Sequence, residues 1–135
     1  MTRRIGFSNI KVFLRDADTF GDDSNLVDVP DKEFFIPSGG TIKPDLWDIT
    51  YPHNDVHVIV TTEMIENDDQ NGIGDVRVAV WWALAEDDTA LISKSFTNLN
   101  LVHGGIVDIP KKQLDDPSHS GDYAQMSMTI SNGTV

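Results

Sequence analysis

Cysteine is absent from the 135 residues, which excludes a disulfide framework and any thiolate metal site. No apolar run approaches the roughly 20 residues that a membrane-spanning helix needs. Basic residues number ten against 22 acidic ones, and the formal charge is −12. Such a surface repels nucleic acid and anionic membranes at long range, so nucleic acid is not expected as a partner. Sustained helical periodicity is missing as well. Met1-Thr2-Arg3-Arg4-Ile5 gives way to Gly6, Ser8, Asn9 and Lys11, which interrupt any continuous apolar segment, so no secretory leader is expected.

What the chain has instead is alternation with a period of two, punctuated by Gly, Pro, Asn and Asp. Ile10, Val12 and Leu14 mark a first strand. Leu26 to Val29 and Glu33 to Ile36 are short pieces, and prolines 30, 37, 44 and 52 predict irregular chain from 30 to 52. Val56, Val58, Val60, Thr62 and Met64 form one row, Val76, Val78, Val80, Trp82 and Leu84 the next, and residues 90–96 return beside them as an antiparallel meander. Short strands follow at 99–102 and 105–109. Lys111 to Pro117 predicts a single helical turn and a loop, and Ala124, Met126, Met128 and Ile130 a half-buried last strand. About seven or eight strands in one domain argue for an all-β, two-sheet antiparallel β-sandwich, with a barrel as the alternative.

Aspartate dominates the acidic residues, 18 of the 22, and it is the carboxylate favoured in turns and hard-cation sites. Two loops concentrate it. The first carries Asp16, Asp18, Asp22 and Asp23; the second carries Asp68, Asp69, Asn71 and Asp75. Calcium takes several oxygens at once from such loops, so these eight residues are the candidate metal ligands, expected at one edge of the sandwich.

Three segments resemble the C2 domain family. Asn9-Ile10-Lys11-Val12-Phe13-Leu14-Arg15-Asp16, with Asp22 beyond it, is similar to the family's opening strand and first aspartate loop. Lys43-Pro44-Asp45-Leu46-Trp47-Asp48 resembles its middle Pro-x-x-Trp element, and residues 58–80, with Ile73-Gly74 inside, its acidic loop and flanking strands. The resemblance spans about residues 9–84 and implies a calcium-linked β-sandwich that meets a lipid headgroup. Glu63 and Ile65 stand where the family carries Asp-x-Asp, and no lysine-rich groove is evident.

Other constellations are weaker. His53, Asp55 and His57 fall on one side of an extended segment, too far apart at roughly 6.6 Å spacing to share an ion without a curled backbone. Ser118, His119, Ser120 and Asp122 crowd one loop without a nucleophile elbow, which fits a polar turn. Trp47, Tyr51 and Trp81 offer aromatic faces suited to a sugar ring. The expectation is therefore a non-enzymatic binding module, with acidic, calcium-binding loops that bridge to a carbohydrate, lipid headgroup or protein. The alternative is a structural or assembly protein, including a homo-oligomer, in which the aspartates serve solubility.

Overall fold

The computed structural model describes residues 2–18, 21–44, 47–52, 54–66, 74–86 and 90–134, with the side chains of 18, 21–23 and 90 left out. Ten strands are present among them: β1 (Arg3–Asp18), β2 (Gly21–Val29), β3 (Lys32–Ile36), β4 (Thr41–Ile42), β5 (Trp47–Ile49), β6 (Val56–Glu66), β7 (Val76–Glu86), β8 (Ala90–Leu101), β9 (Ile106–Asp115) and β10 (Tyr123–Thr134). One antiparallel sheet runs β2-β1-β10-β9, with β3 also paired to β1, and the other runs β4-β6-β7-β8, with β5 also paired to β6. This is the expected two-sheet sandwich.

The meander of β6, β7 and β8 follows the predicted rows: Val58 lies opposite Leu84, Val60 opposite Trp82 and Val80 opposite Thr97. Val58, Val60, Val78, Val80, Trp82 and Leu84 are all fully buried. They pack against Ile5, Phe7, Val12, Leu14, Met126 and Ile130 of the facing sheet in one continuous core. In β1 the buried row changes phase, from Ile5 and Phe7 to Ile10, Val12 and Leu14. A bulge between Ser8 and Lys11 supplies the extra residue, and Asn9 takes φ 48° there. Asparagine tolerates that left-handed conformation better than branched side chains do.

Two expectations need correction. Residues 111–115 are not a helical turn but the second half of β9. Pro110 interrupts the sequence pattern, yet β9 is an edge strand, where a missing N–H is harmless, and a bulge opposite Met126 and Met128 takes up the irregularity. The predicted break after Phe96 is also absent, because β8 continues to Leu101 alongside β7.

Candidate metal centre

Each inward row must end somewhere, and at one end of the sandwich four of them end in acids. The row Ile10, Val12, Leu14 continues to Asp16; Val80, Trp82, Leu84 continues to Glu86; Ala124, read backwards, reaches Asp122; and Leu114 leads to Asp116, one residue past β9. Period two places these carboxylates over the core, not in open water. Asp116 and Asp122 are buried at 5% and 2% exposure.

The segment from Asp116 to Asp122 is shaped to present them. The Asp116 N–H donates to the Asp122 carbonyl at 3.0 Å, and the Asp122 N–H to the His119 carbonyl at 3.1 Å. The Ser118 N–H donates to Asp116 Oδ1 at 2.8 Å. Gly121 makes the turn at φ 94°, pressed so closely on β1 that a Cβ would stand 2.8 Å from that of Ala17. The Ala17 N–H donates in turn to Asp122 Oδ1 at 2.7 Å, which ties β1 to this loop.

His119 lies on the solvent side. Its Nδ1 is 3.0 Å from Asp116 Oδ2 and 3.3 Å from Glu86 Oε2. One ligand atom from each of Glu86, Asp116, His119 and Asp122 can be chosen so that all lie within 4.8 Å of one another. The electrostatics follow from this crowding. Desolvation, then the hydrogen bond to Asp116 and the charge of Asp122, push the Glu86 carboxyl up to about 8. Burial acts upward on Asp116 too, but hydrogen bonds from Glu86, the Ser118 N–H and His119 outweigh it and hold this carboxyl below its usual range. The Asp116 hydrogen bond and the Glu86 charge raise His119.

No protein-family model matches this chain, and no curated protein matches it either.

Of the eight expected ligands, the two with described side chains, Asp16 and Asp75, lie apart. Asp16 stands at the end just described, where its Oδ2 accepts the Asp55 N–H at 3.1 Å. Asp75 is at the other end, with its Oδ2 accepting from Asn100 Nδ2 at 3.3 Å. The second loop is bounded by Glu66, whose N–H donates to the Gly40 carbonyl, and by Gly74, whose carbonyl accepts from Asn132. An 11-residue strand such as β6 separates the two ends, roughly 35 Å at the usual rise. Asp68, Asp69 and Asn71 lie outside the described residues, as do the side chains of Asp18, Asp22 and Asp23. Asp16 and Asp75, whose side chains are described, therefore stand at opposite ends of β6.

The aromatic candidates also separate. Trp47 is buried, its ring edge-on to Phe7 at 5.7 Å, and so presents no face to a ligand. Tyr51 is exposed. Trp81 is half-buried on the outer side of β7 beside Phe96. His53 lies outside the described residues, and His57 Nδ1 is held by Asp48 Oδ1 at 2.8 Å, not by Asp55.

Proposed function

We propose that this domain is a non-catalytic binding module that holds a divalent cation through Glu86, Asp116, His119 and Asp122. The observation that carries the reading is the convergence of three carboxylates and one imidazole within 4.8 Å at the end of the core. Buried carboxylates this close are stable only if protons or a cation offset their repulsion. A nitrogen donor among the oxygens favours zinc or manganese over calcium, which prefers an all-oxygen shell. His119 is 62% exposed at its side chain, so the centre opens to solvent. A bound ion there would polarise an oxygen donor brought by a carbohydrate, lipid headgroup or protein partner.

Thermal melting in the presence of zinc, manganese, calcium or chelator tests this. At about a thousand times Kd, a bound ion adds about 4 kcal/mol, and the midpoint rises accordingly. The gain should vanish in Glu86→Gln and in His119→Ala while both variants stay folded. A midpoint unmoved by all three metals would retire the reading.

A second reading, an assembly protein without metal, is favoured by exposed apolar residues near strand ends and edges, Ile106 at 70% and Leu26 at 63%. Sedimentation over a wide concentration range, with and without chelator, separates the two.

A further inference from the structure

The outward row of a sandwich strand meets water and is ordinarily polar. On β7 from Ala79 to Ala85, beside Ile59 of β6, it is not. Ile59, Ala83 and Ala85 form a buried apolar cluster of their own, apart from the main core. Small alanines keep the floor of β7 low, while Trp81 and Phe96 rise beside it with ring centroids 5.0 Å apart. Trp81 and Leu91 wall a groove of about 630 Å³ floored by Ile59 and Ala83, within the usual size range of small-molecule sites.

Among the described residues its charge is opposite to that of the chain. Among 22 acidic residues, Glu63 alone of the described carboxylates lines the groove, against Lys43 and Lys94. Lys43 Nζ lies 3.6 Å from Glu63 Oε2. Lys94 is opposite Ala83 in the β7–β8 register and has no carboxylate partner among the described residues. An apolar floor beside an unmatched ammonium suits a ligand with an apolar body and one negative charge.

We infer that this groove is a second binding site, specific for an amphipathic carboxylate. The apolar body lies on Ile59, Trp81, Ala83 and Leu91, and the carboxylate accepts from the Lys94 ammonium. The site is independent of the cation centre, which occupies the ends of the inward rows.

Decanoate is the probe, followed by tryptophan fluorescence. Trp47 and Trp82 are buried, so the response should come from Trp81 and disappear in Trp81→Phe. Saturable binding is expected, weakened roughly tenfold by Lys94→Ala and restored by Lys94→Arg. Ala83→Leu should fill the groove and abolish binding with no loss of thermal stability. Decyltrimethylammonium should bind at least tenfold more weakly than decanoate. Glu86→Gln should bind decanoate like the wild type, so that failure of the cation reading leaves this result standing. Equal binding of the two probes, no saturable binding, or undiminished affinity in Ala83→Leu would overturn the proposal. So would a dimer broken by Ala83→Lys, which would assign the face to a second copy of the chain.

Discussion

Glu86 holds a proton in the folded state at pH values where the unfolded chain has released it. Its carboxyl titrates at about 8 against 4.5 when free. The associated stability is complete below the free value and is lost as pH rises to the folded one. His119, raised by the Asp116 hydrogen bond and the Glu86 charge, acts in the same sense and loses its contribution as pH climbs through its raised value. Asp116, held low despite burial by its bonds to Glu86, Ser118 and His119, acts oppositely: its contribution is present above the ordinary aspartate range and fades on acidification. Metal-free Glu86→Gln should therefore match the wild type in urea at about pH 4, below the free value, and exceed it at about pH 9, where the natural side chain is forced to ionise. A difference that is the same at both pH values would contradict this. Asp122 is a different case, because its Oδ1 accepts the Ala17 N–H. Asp122→Ala should cost about 1–3 kcal/mol in chemical denaturation by leaving a donor without a partner.

At the scale of strands and turns, two glycines make contrasting predictions. Gly74 sits at φ 70° with the Arg3 guanidinium 3.0 Å from where a Cβ would be, whereas Gly104 has φ 74° and open space around it. Gly104→Ala should show the backbone cost alone, about 1–2 kcal/mol, and Gly74→Ala should lose more, as read from denaturation midpoints. Much of the strand pattern was legible because alternation reports burial directly: the rows from Val56 to Met64 and from Val76 to Leu84 lie in the structure as the sequence predicts. The cluster of Glu86, Asp116, His119 and Asp122 was legible only in part. Continuing the row of Trp82 and Leu84 by two residues reaches Glu86, and continuing that of Ala124 backwards reaches Asp122. Neither is among the ligands that aspartate density suggests, and Asp122 falls in a segment that reads as a polar turn. The meeting of β7 with the β9–β10 loop is a contact between sheets, and no local pattern carries it. Density of aspartate pointed instead to hairpin tips, where solvent can accommodate charge without a ligand. Pro110 shows the same dependence on context, since the effect of proline depends on whether its strand is central or at an edge.

Across the whole molecule the two ends of the core are closed differently. Opposite the acidic end, Arg3, Glu66 and Asn132 are buried. Arg3 Nε donates to Asn132 Oδ1 at 3.0 Å, and Asn132 Nδ2 donates to the carbonyls of Gly74 and Leu101 at 2.7 and 3.0 Å. Among the described residues one buried cation and one buried anion balance formally there, whereas Glu86, Asp116 and Asp122 face a single histidine. Asn132→Leu should accordingly destabilise the fold by roughly 2–4 kcal/mol, with or without metal, because it strips partners from buried groups; calorimetry in chelator measures it. β1 reaches both ends, and the bulge at Asn9 is the joint between its two phases. Excising Asn9 would therefore act on half the strand: the stretch from Thr2 to Ser8 would turn over, swinging the Arg3 guanidinium out to the surface and stranding Asn132, while Leu14 and Asp16 kept their places. A single missing residue would unseal one pole of the molecule and leave the other shut.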